Sequence, residues 1–80
     1  MAGSLKADKL LDVRKTFCPV PVIQAKETID QMRPGEVLEV LATDAGSWRD
    51  FPAWCKNTGH TLLDAVQEDG TFRYFIKKTG

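Results

Sequence analysis

Cysteine and histidine are scarce in this chain of 80 residues, which contains two cysteines and one histidine. Cys18 and Cys55 stand far apart, and His60 is the only imidazole, so the ligand spacing of a zinc site is absent. Two cysteines behind a start that lacks an apolar signal segment indicate reduced thiols, not a disulfide framework. We therefore expect a cytoplasmic protein without a bound metal.

Net charge and long apolar runs are also missing. Eleven basic residues balance eleven acidic ones, which removes any general attraction to nucleic acid or to an anionic membrane. No apolar stretch approaches the roughly 20 residues that a membrane-spanning helix needs. The sequence therefore predicts no membrane association and no direct DNA binding.

The pattern of strands and helices predicts one small α/β domain. Leu- and Val-rich segments indicate strands at 9–14 and 36–43, and two further strands at 61–68 and 71–78 are joined by Asp69-Gly70, a two-residue hairpin signal. Helical segments follow the first two strands. The order β-α-β-α-β-β predicts an α+β two-layer sandwich, a mixed four-stranded sheet with both helices on one face. Residues 1–8 are expected to be a flexible start, and residues 9–80 a single domain.

The two helices differ in how clearly their starts are marked. In the first, Val22, Ala25, Ile29 and Met32 recur at helical spacing and predict its buried face. The second ends at Gly59, but it has two candidate starts. A start at Ser47 would place Pro52 beyond the first turn, whereas Asp50 as N-cap places Pro52 at the second helical position. The sequence favours the start at Asp50, with residues 47–49 as a turn.

The stretch F-C-P-V-P, residues 17–21, places a cysteine at the beginning of the first helix. With Cys18 as N-cap, Pro19 and Pro21 occupy the first and third helical positions, where no amide has an intrahelical partner. The Val20 amide and the positive end of the helix dipole then favour thiolate over thiol. Cysteines in such positions have pKa values of about 3.5–7.5, against about 8.5 for a free cysteine. Cys18 is therefore the candidate nucleophile.

Other residues with reactive or aromatic side chains have simpler interpretations. Cys55 lies four residues after Phe51 on the expected inner face of the second helix, which predicts a packed thiol. His60 follows a helix-ending glycine and is interpreted as a turn residue, not as a base for Cys18. Trp54 is expected in the core, and Trp48 is expected to be partly exposed.

The motif also carries a resemblance. L-D-V-R-x-x-x-C-P-V-P-V, followed by P-G-E-V-L-E-V, resembles the TusA/SirA family of small sulfur-carrier proteins, and the similarity runs from Leu10 to the end. It implies that Cys18 carries sulfane sulfur as a covalent persulfide, with no separate cofactor. It also implies a cysteine desulfurase or rhodanese-like sulfur donor and a downstream acceptor protein. Family uses include tRNA 2-thiolation, cofactor maturation and sulfur oxidation.

Charged residues near the expected site are candidates for partner docking. Asp44, Arg49 and Asp50 lie between the second strand and the second helix, at the end of the sheet where Cys18 is expected. Arg14 precedes the cysteine motif and Gln24 follows it on the helix. Capping and solvation explain such residues equally well, so both interpretations stay open.

Two other functions are compatible with parts of the sequence. The chain could be a non-enzymatic protein- or RNA-binding regulatory module that uses the open face of its sheet, although the neutral charge disfavours RNA. Thiol–disulfide chemistry is disfavoured because no second cysteine follows Cys18 at C-x-x-C spacing.

Overall fold

The computed structural model of the protein describes residues 7–14 and 20–79, with side chains from residue 22 in the second range. The elements are two helices and four strands: β1 (Lys9–Asp12), α1 (Val20–Asp30), β2 (Val37–Ala42), α2 (Ser47–Thr58), β3 (Thr61–Glu68) and β4 (Thr71–Lys77). The order matches the predicted one. The division into a flexible start, residues 1–8, and a single domain, residues 9–80, stays a prediction.

The four strands form one mixed sheet in the spatial order β1-β2-β4-β3. β1 runs parallel to β2, with Leu11 beside Val40, and β4 runs antiparallel to both β2 and β3. A parallel pair requires a crossover connection, and α1 supplies it between β1 and β2. The mixed sheet and its two helices confirm the predicted fold class.

Both helices pack on one face of this sheet, and the core lies between the two layers. The strands alternate buried and more exposed residues along β2 and β4, as a sheet covered on one side does. The inward side chains meet the inner faces of α1 and α2. Among the residues with described side chains, those in the core are Val13, Ala25, Ile29, Met32, Leu38, Val40, Ala42, Phe51, Cys55, Phe72, Tyr74 and Ile76.

Two predicted backbone signals are confirmed. Asp69 and Gly70 have φ values of 49° and 79°, the paired positive angles of a tight hairpin turn, and they join β3 to β4. Gly59 ends α2 with φ 86°, and its amide donates to the Cys55 carbonyl at 2.9 Å. A left-handed glycine after the last helical residue is a common helix end, because glycine has no Cβ to clash there.

The predicted start of α2 at Asp50 is wrong, because the helix begins at Ser47 with Gly46 as N-cap. Pro52 therefore lies inside the helix, at its sixth position, and donates no hydrogen bond to the Trp48 carbonyl. The first turn is held by tertiary contacts instead: the Ser47 hydroxyl lies 2.6 Å from the Tyr74 hydroxyl in the core. Ser47 therefore bonds across to the sheet, and it does not cap the helix.

The direction of the helices brings several loops to one edge of the sheet. We call this the carboxyl edge; it is the edge where β1 and β2 end and β4 begins, marked by Arg14, Thr43 and Thr71. α2 begins there, since the Ser47 amide donates to the Asp44 carbonyl just beyond β2. α1 ends at the opposite edge, where the Lys78 ammonium donates to the Met32 carbonyl at 2.7 Å. Both helices therefore direct their N-termini toward the carboxyl edge.

Candidate functional site

The carboxyl edge contains most of the residues that the sequence singled out. Arg14 lies just beyond β1, and Asp44, Arg49 and Asp50 lie at the β2–α2 connection. This connection thus shares an edge with the end of β1, whereas its expected proximity to Cys18 stays a prediction. Cys18 and Pro19 lie outside the described residues, as do the side chains of Val20 and Pro21, so the N-cap assignment of Cys18 stays a prediction.

Arg14 is bound to a carboxylate of its own strand end. Its Nε and a terminal nitrogen donate to the two oxygens of Asp12 at 2.9 and 2.7 Å, and its backbone amide donates to the same carboxylate at 3.0 Å. The hydrogen bond first, and the opposite charge second, raise the pKa of Arg14. This two-point pairing fixes the plane of the guanidinium. Arg14 therefore presents an oriented but largely neutralised charge beside a hollow of about 560 Å³ that Thr43 and Thr71 also line.

The first turn of α2 is attached to the sheet by a buried polar pair. The Ser47 and Tyr74 hydroxyls share a hydrogen bond of 2.6 Å, and the Tyr74 ring stacks on Phe51 with centroids 4.6 Å apart. Burial raises the pKa of Tyr74; the bond to Ser47 acts in the opposite direction, while the charges of Asp44 and Asp50 add to the rise. Those two carboxylates therefore lie close enough to act on the phenol, which places them at this end of α2.

The remaining charged residues at the start of α2 have different surroundings. The Asp44 and Asp50 residues are half-buried and engaged in interactions, whereas Arg49 is exposed. Trp48 is 45% exposed, as the sequence predicted for this residue. The start of α2 thus combines a partly exposed indole and an exposed guanidinium with two carboxylates held in place.

Gln24 lies on α1, four residues after Val20, and is exposed. Its neighbour Ile23 is 50% exposed, and the sequence analysis did not single it out. The helical spacing could have identified Ile23, because this residue falls outside the stripe formed by Val22, Ala25 and Ile29. α1 therefore offers both an amide and an apolar side chain to solvent about one turn from its beginning.

Cys55 has the environment of an unreactive cysteine. It is 3% exposed on the inner face of α2, and burial raises the pKa of its thiol to about 11. At neutral pH the thiolate fraction is therefore very small, and a nucleophile or electrophile of protein size has no access to the sulfur. The prediction of a packed thiol is confirmed.

His60 lies at the other edge of the sheet. It follows Gly59, its Nδ1 accepts a hydrogen bond from the Thr79 amide at 3.3 Å, and its ring lies 5.6 Å from that of Trp54. The seven residues of β4 separate this edge from the carboxyl edge by about 20 Å. The interpretation of His60 as a turn residue is confirmed. Trp54 is partly buried and packs against the core, as predicted.

Metal-ligating residues are dispersed across residues 7–14 and 20–79, where no three His, Cys, Asp or Glu side chains form a cluster suited to a metal ion. In the same part of the chain, neither helix has the length and apolar character needed to span a membrane.

Comparisons with known proteins identify the family. The sequence pattern of the family described as sulfurtransferase TusA matches residues 9–78. The sulfur carrier protein TusA of Allochromatium vinosum is 44% identical over 72 residues, which are 90% of this chain and 95% of the relative. A proposed sulfur carrier protein of Neisseria meningitidis serogroup A is 49% identical over 67 residues, covering 84% and 90% respectively.

A solved structure supports the fold independently. The crystal structure of a SirA-like protein from Desulfitobacterium hafniense superimposes with a TM-score of 0.77 over 90% of this chain and 99% of that one, at 23% identity. At this identity the likeness concerns the fold. Together with the family match, which spans both helices and all four strands, it agrees with the resemblance carried by the cysteine motif. The chain belongs to the sulfurtransferase TusA family.

Proposed function

We propose that this protein is a sulfur carrier that accepts sulfane sulfur on Cys18 as a persulfide and delivers it to an acceptor protein. The observation that carries the proposal is the contrast between its two cysteines. Cys55 is sealed in the core with a pKa raised to about 11, so in a family of sulfurtransferases Cys18 is the remaining candidate for the sulfur. In the sequence, Cys18 follows Arg14 by four residues and precedes Val20, the first residue of α1, by two. Arg14 lies at the carboxyl edge.

The transfer is an exchange between sulfur atoms. The Cys18 thiolate attacks the outer sulfur of a persulfide on the donor, a cysteine desulfurase or a rhodanese-like protein. A bond forms between Cys18 and that sulfur, and the bond to the inner sulfur of the donor breaks, which releases the donor thiolate. An acceptor thiolate then attacks the outer sulfur on Cys18 in the same way. Each step conserves electrons, so the carrier needs no oxidant, metal or resident cofactor.

The surroundings described at the carboxyl edge suit this chemistry. The N-terminus of α1 points to this edge, and the positive end of a helix dipole favours a thiolate placed there. Among the residues that the structure describes, this edge carries two open hollows that a protein partner can approach. We expect the carrier to work in the cytoplasm, where thiols stay reduced. The candidate uses of the delivered sulfur are tRNA 2-thiolation, cofactor maturation and sulfur oxidation.

The experiment that tests this function is sulfur loading followed by intact mass measurement. The protein is incubated with a cysteine desulfurase and cysteine, and separately with a rhodanese and thiosulfate. We expect a gain of about 32 Da, the mass of one sulfur atom, which a reductant reverses. Cys55→Ala should load like the wild type and Cys18→Ser should not. Loading of a folded Cys18→Ser variant, verified by circular dichroism, would contradict the proposal.

The alternative of RNA binding on the open sheet face is not favoured by the side chains found there. Arg73 is the cation at the middle of that face, and its guanidinium is paired with Glu39 at 3.2 Å and with Glu68 at 3.6 Å. Contacts to RNA phosphates require cations that are free to exchange their counterions. Because Arg73 is already paired with two carboxylates, whose negative charges also repel phosphate, this face is poorly suited to bind RNA.

A further inference from the structure

β3 is the longer of the two strands that lie at the sides of the sheet. The spatial order β1-β2-β4-β3 leaves β1 and β3 with a strand on one side only, among the residues that the structure describes. β1 has four residues, whereas β3 has eight. The open side of such a strand presents backbone amides and carbonyls that can pair with a strand of another chain. The outer side of β3, which we call the β3 edge, is therefore the larger surface for strand pairing.

The register of β4 shows which backbone groups of β3 point to the β3 edge. The Lys78 amide donates to the Glu36 carbonyl at 2.9 Å, so the backbone groups of Lys78 point toward the β2 side of β4. These groups alternate in direction along a strand, and those of Tyr74, four residues earlier, therefore also point toward β2. Tyr74 lies opposite Ala65 on β3. The amide and carbonyl of Ala65 consequently point away from β4, toward the β3 edge.

The side chain of Asp64 occupies the outward amide of Ala65. That amide donates to Oδ1 of Asp64 at 2.9 Å. Asp64 is exposed, so its carboxylate stays in contact with water while it accepts this bond. A second strand that approached the β3 edge would have to displace the carboxylate before one of its own carbonyls could accept from Ala65. The donor at the middle of the edge is therefore already in use.

A bulge next to Asp64 interrupts the same edge. Leu62 and Asp64 lie opposite consecutive residues of β4, so Leu63 is an extra residue on β3. Leu63 is 40% exposed. A bulge bends its strand and increases the local twist, and natural sheets use both bulges and charged side chains to protect open edges. The regular part of the β3 edge thus begins at Asp64, and Ala65 holds its first outward amide.

We propose that the β3 edge is a pairing surface for a second copy of this chain, and that the hydrogen bond from the Ala65 amide to the Asp64 carboxylate keeps this surface closed. In the closed state the chain is a monomer. When the acceptor is removed, the β3 edges of two copies pair antiparallel about a twofold axis, and the two sheets join into one. The proposal is independent of the sulfur-carrier function, because it concerns only the outer side of β3.

A second copy is the occupant we assign because the β3 edge is complementary to itself. At alternate positions of an antiparallel pair, two opposite residues exchange both of their backbone hydrogen bonds. A twofold axis beside Ala65 places this residue opposite Ala65 of the second copy, so that each amide meets the carbonyl of the other. Asp64 then lies opposite Val66 of the second copy. Like charges directly opposite each other would destabilise the pair, and this central stretch avoids them.

Removal of the acceptor at Asp64 tests the proposal. Sedimentation velocity of the wild type, Asp64→Ala and Asp64→Asn is measured from about 10 µM to about 1 mM, with a reductant present so that no disulfide forms. We expect Asp64→Ala to form dimers, with an association constant roughly 10- to 30-fold above that of the wild type, because two symmetry-related amides become free to bond. Asp64→Asn should sediment like the wild type, since its side-chain carbonyl can accept the same bond without a charge.

Two further variants separate the β3 edge from a general loss of charge. Glu27→Ala removes an exposed carboxylate from α1 and should sediment like the wild type. The Gln67 amide, two residues after Ala65, also points outward, so proline at this position removes a donor of the edge without removing a bond to β4. Asp64→Ala/Gln67→Pro should therefore return to a monomer. Circular dichroism and urea unfolding verify that each variant is folded.

Hydrogen–deuterium exchange locates the contact without a proline. In Asp64→Ala the Gln67 amide should exchange more slowly as the protein concentration rises, whereas exchange in β1 should not change. Asp64→Ala that stays monomeric at the highest concentration, or Asp64→Asn that associates as strongly as Asp64→Ala, would overturn the proposal. Dimers of the wild type, or dimers of Asp64→Ala in which exchange at Gln67 is unaffected, would overturn it as well.

Discussion

Cys55 shows how strongly a residue's place in the fold determines its chemistry. Cys55 lies on the face of α2 that packs against the sheet, four residues after Phe51, and has lost both solvent and acidity. Its spacing from Phe51 was sufficient to predict this from the sequence. The pairing of Arg14 with Asp12 was not predictable from the sequence. Within a strand, residues two positions apart lie on the same face, but Arg14 lies beyond the end of β1, where the sequence does not determine the direction of its side chain. Trp48 was recognised as partly exposed, but its fixation by Phe72 depends on tertiary contacts.

The raised pKa of Cys55 predicts a loss of stability at alkaline pH. In the folded state the thiol stays protonated up to about 11, whereas in the unfolded chain it ionises near 8.5. Above about pH 8.5 the unfolded state therefore binds fewer protons, and the free energy of unfolding falls, by at most about 1.4 kcal/mol per pH unit. Below about pH 8.5 the Cys55 thiol is protonated in both the folded and the unfolded state, so its ionisation does not reduce the free energy of unfolding there.

Urea unfolding curves at pH 7.5, 8.5 and 9.5 measure this effect. We expect the free energy of unfolding to fall more steeply with pH in the wild type than in Cys55→Ala, although the variant is less stable at pH 7.5 because of the small cavity it creates. Equal slopes for the two proteins above pH 8.5 would contradict the burial of Cys55.

At the scale of elements, the sheet was more predictable than the start of α2. β3 and β4 follow directly from alternation and from the Asp69-Gly70 turn, and Gly59 marks the end of α2. The predicted beginning of α2 was wrong, because local sequence rules favour proline in the first turn of a helix. An additional N-terminal turn of α2 is stabilised by the contacts of Ser47 with Tyr74 and of Trp48 with Phe72. These are tertiary contacts, which the spacing of residues in the sequence does not predict.

An internal proline in α2 predicts that its replacement stabilises the protein. Pro52 is exposed, lacks the amide that would bond to the Trp48 carbonyl, and crowds that carbonyl with its ring. Pro52→Ala should raise the free energy of unfolding by about 1 kcal/mol, less than the roughly 3 kcal/mol of a peptide host, because proline also restricts the unfolded chain.

Chemical denaturation of the two proteins at pH 7 tests this, with Ala53→Gly as the control. That substitution at the adjacent exposed position should lower the free energy of unfolding by up to about 1 kcal/mol if the helix is intact there. A Pro52→Ala variant that is less stable than the wild type, with Ala53→Gly neutral, would show that α2 does not extend through this turn as a regular helix.

At the scale of the whole molecule, the order of elements was the most informative prediction. A parallel β1–β2 pair with a helical crossover requires α1 to begin where β1 ends, and the same geometry brings the start of α2 to that edge. The gathering of Arg14, Asp44, Arg49 and Asp50 at one edge was therefore predictable. Which of these residues form ion pairs depends on side-chain packing, and this was known only from the structure.

The central claim is that sulfur leaves this protein as sulfane sulfur from Cys18, and cyanolysis tests it most directly. Loaded protein is freed of donor and treated with cyanide, which removes the outer sulfur as thiocyanate and returns the cysteine thiolate. We expect about one equivalent of thiocyanate per chain from the wild type and from Cys55→Ala, and none from Cys18→Ser. Thiocyanate from Cys18→Ser, or none from a wild-type chain that has gained the mass of sulfur, would contradict the account.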